Sequence, residues 1–256
     1  MAGELVRMEH ITKTYGRVQA LQDVTVTVNE REILGLVGDN GAGKSTLVKI
    51  LSGATRADSG TIYFKGNRVK IENTGDAITL GIETIYQDSA LVTQLSVARN
   101  LFLGREPTRR IGLTDVLDKG YMKSQTRSLL KRVGITKDID PDAPITALSG
   151  GERQSIAIAR AMFFEADLII MDEPTNNLGV EESQGVLRFM RAAREEGRSS
   201  IFITHNIYHV FQAVDRIVVL RRGKMVADVM RDDTTIEETE KVITGLVDTR
   251  YSAAVQ

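Results

Sequence analysis

The sequence predicts an α/β fold built on a mainly parallel sheet, with an N-terminal antiparallel β subdomain and an inserted α-helical subdomain. Three observations carry that prediction. The apolar runs "EILGLVG", "DLIIMDE", "SSIFITH" and "DRIVVL" are separated by helix-length segments, the rhythm of a parallel sheet. Near the start, "LQDVTVTV" alternates Val24, Val26 and Val28 with Asp23, Thr25 and Thr27, the period of a half-buried strand. Between these regions the composition shifts, because three of the four prolines, Pro107, Pro141 and Pro144, fall between residues 107 and 144.

Taken in order, residues 1 to about 36 read as short strands, and the apolar run ending at Gly38 as a strand buried on both faces. A glycine-rich turn leads into a helix from Lys44 to Leu51, and strand-like "TIYF" and "IETIYQ" follow. Residues 88–148 are expected to form the helical lobe, with loops at its prolines. Residues 1–87 and 149–256 then form the core of a single domain, and 256 residues suffice for a substantial interior. No internal repeat is visible.

Composition narrows the function. The chain is 42% hydrophobic and 26% charged, with a net charge of −1, which argues against the basic stripe of a nucleic-acid binder. It has no cysteine, which fits a reducing compartment. Charges at Glu4, Arg7 and Glu9 interrupt any signal-peptide core, and no apolar run approaches the ~20 residues of a membrane helix. Any membrane role is therefore expected through a partner. Charged stretches such as "RAAREEGR" read as solvated helix faces.

"GDNGAGKST" fits the phosphate-loop pattern G-x-x-x-x-G-K-[ST], with Gly38, Gly43, Lys44 and Ser45 in the required places. Glycines at such a turn let backbone N–H groups, here of Asn40, Gly41, Ala42 and Thr46 as well, curl around phosphates. Lys44 supplies a point charge, the helix N-terminus its dipole, and Ser45 a hydroxyl for Mg²⁺. "DLIIMDEPT" ends a buried strand in Asp172 and Glu173, at the sheet edge where ligands of α/β folds collect. Asp172 is expected to hold Mg²⁺ and Glu173 to polarise an attacking water. "SSIFITHN" brings His205 to the same edge, where it can contact a terminal phosphate. His205 and His209 stand four apart, but Asn206 occupies the place of the glutamate in a zinc-peptidase helix, so that reading fails, and His10 is isolated. "LSGGE" is a second glycine corner without a lysine. Ser149 there reads either as a plain helix cap or as a hydroxyl that, with the Gly150 and Gly151 amides, supplements another phosphate site.

"GDNGAGKST", "IYQD", "LSGGERQ", "LIIMDE" and "ITHN" occur in the order found in ABC ATPases, and the sequence resembles that family from Tyr15 to about Gly223. "LSVARNLFLGREP", "LSGGERQSIAIARAM" and "TTIEETEKVITG" are similar to the ATP-binding subunits of bacterial monosaccharide importers, the single-domain fructose type in particular. The resemblance implies a P-loop NTPase core that binds ATP and Mg²⁺ and hydrolyses ATP as a head-to-tail dimer. In such a dimer Ser149, Gly150 and Gly151 of one chain face the γ-phosphate held by Lys44 of the other. Tyr15 would stack on adenine, and Gln87 would link the lobe to Mg²⁺ and the attacking water. Partners would be a second copy, transmembrane permease subunits and, indirectly, a solute-binding protein, on the cytoplasmic face of the membrane. One position departs from the pattern: "TNNLGVEE" has Gly179 where the family usually has aspartate. The alternatives are a non-transport ABC clamp acting in DNA repair or translation, and a P-loop kinase, which leaves "LSGGERQ" unexplained.

Overall fold

The chain opens with two long strands, β1 (Glu4–Tyr15) and β2 (Val18–Asn29), which pair antiparallel with Val6 opposite Val28 and Met8 opposite Val26. Alternate residues of β2 turn inward, so Val24, Val26 and Val28 are buried as their spacing predicts. In the computed structural model, residues 3–85, 91–132, 137–163, 166–176, 178–247 and 250–251 are described. After β3 (Ile33–Val37) and α1 (Lys44–Leu51), strands β4 (Ser59–Phe64) and β5 (Asn67–Val69) complete a four-stranded antiparallel sheet in the order β2-β1-β4-β5.

Next come α2 (Thr74–Thr79), held by a capping box between Asn73 and Asp76, and β6 (Ile82–Ile85). The lobe begins with α3 (Val97–Leu101), β7 (Thr108–Ile111), β8 (Thr114–Leu117) and α4 (Lys119–Arg132). α5 (Gly150–Phe163) follows. The chain then alternates through β9 (Leu168–Asp172), α6 (Val180–Glu195), β10 (Ser199–Ile203), α7 (Ile207–Ala213) and β11 (Arg216–Arg221). It closes with β12 (Lys224–Met230), α8 (Ile236–Thr244) and β13 (Arg250–Tyr251).

The second sheet runs β13-β12-β11-β3-β10-β9-β6. β11, β3, β10, β9 and β6 are parallel, and β12 folds back antiparallel on β11. Its strands feed two cores at once. Ile33, Val37, Ile169, Met171 and Phe202 face the helices α6 and α7, whereas Leu34, Leu36, Ile170, Ile201 and Ile203 face α1 and the antiparallel sheet. That double burial is why these strands are unbroken apolar runs rather than alternating ones. Among the described residues, no helix is long and apolar enough to cross a membrane.

A buried charged cluster centred on Arg216 interrupts this interior. Arg216 is 3% exposed; it donates to Glu32 at 2.7 Å, to both Asp228 oxygens at 2.7 Å and to the Thr27 carbonyl at 2.7 Å, tying the two sheets together. Burial drives the Asp228 carboxyl upward, with Arg216 opposing.

In the lobe, Val97, Leu101, Phe102, Met122 and Leu129 are buried against Ile156 and Ile158 of α5. Phe102 and Phe163 meet edge to face at 4.7 Å. α5 packs on α3 and α4, yet also on β6 and α6, so it belongs to the lobe's interior and to the edge of the large sheet alike. Besides helices, the lobe carries the β7–β8 hairpin, which the sequence reading did not foresee. Leu113, Ile111 and Val116 on it are exposed, so neither face shows the inward-outward alternation that announces a strand.

Candidate functional site

The turn from β3 into α1 is shaped by torsion and by crowding. Gly38, Gly41 and Gly43 have φ of 145°, 79° and 109°, where a side chain is strained. A Cβ at Gly38 would stand 2.1 Å from the Leu220 carbonyl oxygen, and one at Gly43 2.7 Å from that of Ala20. The loop is thus pressed between β11 and the β1–β2 hairpin. Gly43 caps α1 without a side chain, so no side chain blocks the N–H groups of its first turn. Gly41 to Thr46, Asp172 and Glu173 line a cavity of about 610 Å³.

Lys44, 8% exposed, donates to the carbonyls of Gly38 at 2.6 Å and Asp39 at 3.0 Å. Burial pushes its ammonium below the usual lysine range, opposed by the carboxylates of Glu173, Asp172 and Asp39. Asp172, at the end of β9, is pushed up by burial and further by Glu173, with Lys44 and Lys49 opposing. One lysine, two adjacent carboxylates and a helix N-terminus therefore share one wall. Ser45 and Asp172 offer oxygen donors to this cavity, the hard ligands Mg²⁺ takes when it keeps its waters and borrows the rest from phosphate.

Glu173 has φ of 52°, a left-handed torsion that is rare outside glycine and that marks stored strain at a site. Its N–H donates to Ile203 at 2.9 Å, fixing the strand end to β10. His205 Nδ1 lies 3.0 Å from Glu173 Oε2, and the His205 backbone N–H is 3.4 Å from the same oxygen. An ionised carboxylate only accepts, so Nδ1 carries the proton of this pair and Nε2 of a neutral ring is left as acceptor. Glu173 is 14% exposed on its side chain and His205 64%, so the imidazole stands at the mouth. Glu173, His205, Gly38 and Asn40 line a second cavity of about 460 Å³, and Glu173 and Asn40 line both.

The second corner is built differently. Ser149 Oγ accepts from Glu152 N at 3.2 Å, and Ser149 N donates to Glu152 Oε2 at 2.8 Å, a reciprocal cap on α5. Lys137 and the Ser149 amide hold the Glu152 carboxyl below its usual range. Ser149, Gly150 and Gly151 line neither cavity, so within one chain the structure does not bring them to Lys44. A Cβ at Gly150 would meet open space.

Tyr15 lines neither cavity; it pairs with Val18, which lines the larger one, and is 46% exposed with Lys13 Nζ 5.4 Å from the ring. Gln87 lies outside the described residues. His10 pairs with Asp23 at 2.7 Å on the far sheet, and His209 Nδ1 stands 3.2 Å from Thr175 Oγ1. Arg222, Asn176, Thr204 and Ile243 also line the two cavities and were not foreseen. Asn176, Thr204 and Ile243 stand inside the motifs "TNNLGVEE", "ITHN" and "TTIEETEKVITG", and Arg222 in the "RRGK" turn between two strands.

The pattern of one family, described as ABC transporter, matches residues 21–176. The xylose/arabinose import ATP-binding protein XylG of Sulfolobus acidocaldarius is 42% identical, over 94% of both chains. The fructose import ATP-binding protein FrcA of Rhizobium meliloti is 39% identical, over 92% of both. A ribose import ATP-binding protein of Rubrobacter xylanophilus is 44% identical over 89% of this chain but only 44% of its own length. Among solved structures, an ATP-binding cassette of an ABC transporter in its ADP conformation superposes with a TM-score of 0.78 at 23% identity, covering 94% of this chain and 95% of that one.

Proposed function

The chain belongs to the ABC transporter family, and from that premise we propose that it is the ATP-binding, ATP-hydrolysing subunit of a monosaccharide importer. The observation that carries this reading is the wall shared by Lys44, Ser45, Asp172 and Glu173, with His205 bonded to Glu173. Loop amides and the Lys44 ammonium bind the triphosphate, and the α1 dipole favours its charge. Glu173 accepts a proton from the attacking water, and the Nδ1–H of His205 holds that carboxylate in place, leaving Nε2 toward the mouth. Mg²⁺, held by Ser45 and Asp172 with Gln87 nearby, would neutralise charge developing on the phosphates. Tyr15 receives the adenine face. Residues 1–87 and 149–256 act as the nucleotide core and 88–148 as the lobe.

Ser149, Gly150 and Gly151 complete the pocket of a second copy, head to tail. Their placement away from Lys44 and the open space at Gly150 support this, since a lysine-free glycine corner adds amides to a site charged elsewhere. The sugar class rests on the relatives, three of which are named for import of xylose or arabinose, fructose and ribose. A permease in the membrane would be the direct partner, at its cytoplasmic face, and a solute-binding protein an indirect one. Size-exclusion chromatography tests the pocket: a Glu173→Gln chain should run as a dimer with ATP and as a monomer with ADP. A monomer in both defeats the composite site. Co-expression with the membrane protein encoded beside it should yield a complex that extracts in detergent; a chain purifying alone removes the transport assignment.

A further inference from the structure

Gly179, where the chain leaves the family pattern, is explained by what lies against it. A Cβ there would stand 2.5 Å from Glu182 Oε2, and a Cβ at Gly151 would stand 2.5 Å from Glu182 Cγ and 3.1 Å from its Oε1. Gly179 has φ −67° and ψ 175°, a conformation open to any residue, so torsion does not ask for glycine there, and what a Cβ would meet is the end of the Glu182 side chain. Gly151 likewise has an ordinary helical place in α5. One side chain, rooted in the first turn of α6, therefore lies across two glycines from distant parts of the chain. One of them opens α5; the other ends the loop that starts at Glu173.

We infer that Glu182 is a positioning residue, the spacer that sets the Ser149–Gly151 ledge against the loop from Glu173 to Gly179. It rests on the reading of that ledge as the cover of a partner's triphosphate. Glu182 is solvent-accessible and lies along the two glycines. Its carboxylate also lies beside the positive end of α5, an arrangement the helix dipole favours. An aspartate at 179 would take the same room and set a second carboxylate against the first, so the two devices exclude one another. Displacing the spacer moves the ledge, and misplacement of groups that surround a reacting phosphate acts on kcat.

Suppression is the test. Gly179→Asp should lower kcat by up to about 10²-fold, while ATP affinity measured by calorimetry, set in the Lys44 cavity, stays unchanged. Adding Glu182→Ala to Gly179→Asp should restore most of the loss. Glu182→Ala alone should lower kcat, and Glu182→Gln, which keeps the spacer's length, should recover it. A fully active Gly179→Asp chain, or one that Glu182→Ala fails to rescue, overturns the inference. Thermal unfolding gives a second arm that needs neither nucleotide nor partner. Gly151→Ala and Gly179→Ala should each lower the midpoint by about 2–4 °C, and both losses should vanish in a Glu182→Ala background. Simple additivity overturns the spacer. Because this arm is intramolecular, it decides on Glu182 even if the Glu173→Gln chain never pairs.

Discussion

Two glycine corners open helices in this molecule, and they solve opposite problems. At Gly38 to Ser45 the glycines answer to torsion and to backbone pressed within 2.1–2.7 Å of where a Cβ would stand, and a buried lysine and two carboxylates are gathered behind them. At Ser149 to Gly151 no positive φ is needed, the helix end is closed by its own Ser149 and Glu152, and Gly150 faces open space. On the function proposed, the first corner is a charged vessel and the second an uncharged cover, so rigidity would belong to the part that binds and accessibility to the part that meets another surface.

Removing Glu173, the proposed proton acceptor, should break the first corner most completely. Glu173→Gln should lower kcat by about 10²–10⁴-fold, the ordinary worth of a general base, with ATP still bound. Full turnover in that variant would detach hydrolysis from this corner. The lysine comes next. Lys44→Ala should weaken ATP binding by about 10- to 100-fold, the equivalent of one charge-assisted hydrogen bond, and calorimetry would read it directly. Unchanged affinity would mean that the amides alone hold the phosphates.

A matched pair of alanines then sets the corners against each other. Gly38→Ala forces a Cβ onto the Leu220 carbonyl and a side chain into φ 145°, so it should destabilise by at least about 1–3 kcal/mol. Gly150→Ala meets nothing and should stay within about 0.5 kcal/mol. Urea unfolding of both variants checks the contrast, and equal losses would erase it.

Much of this is legible in the sequence. The helix expected from Lys44 to Leu51 has those bounds, and the four apolar runs became β3, β9, β10 and β11 of one sheet, because burial on both faces leaves a continuous signature. What was hidden depends on partners remote in sequence. Arg216 sits in the run "DRIVVL" and reads as a strand-end charge, but Glu32 and Asp228, brought up by other strands, make it a buried link between sheets. The hairpin at residues 108–117 was missed because both its faces are wet. Glu182 reads as a solvated helix acid, and only the fold lays it across Gly151 and Gly179. The strain at Glu173 left no mark either, since nothing in "MDEPT" requires a left-handed torsion.

Acid should separate the corners last and least. His209, at the start of α7, reaches Thr175 in the loop that follows the first corner's carboxylates Asp172 and Glu173, and burial holds its imidazole below the usual histidine range. Between that lowered value and the ordinary one near ~6.5 the unfolded chain binds more protons than the folded one. The stability tied to His209 is therefore whole above the ordinary value, falls as pH drops through it, and levels off below the folded value. The second corner has no histidine, and its Glu152 carboxyl, lowered by Lys137 and Ser149, gives up its contribution only when pH falls below the ordinary glutamate value of ~4.3. Melts taken from about pH 7.5 down to about 5.5 should show a small loss in the parent chain that His209→Gln flattens and Glu152→Gln leaves in place. Should the parent lose no more than the His209→Gln chain across that window, the first corner is not the acid-sensitive one, and the division of labour drawn between the two would have to rest on charge and torsion alone.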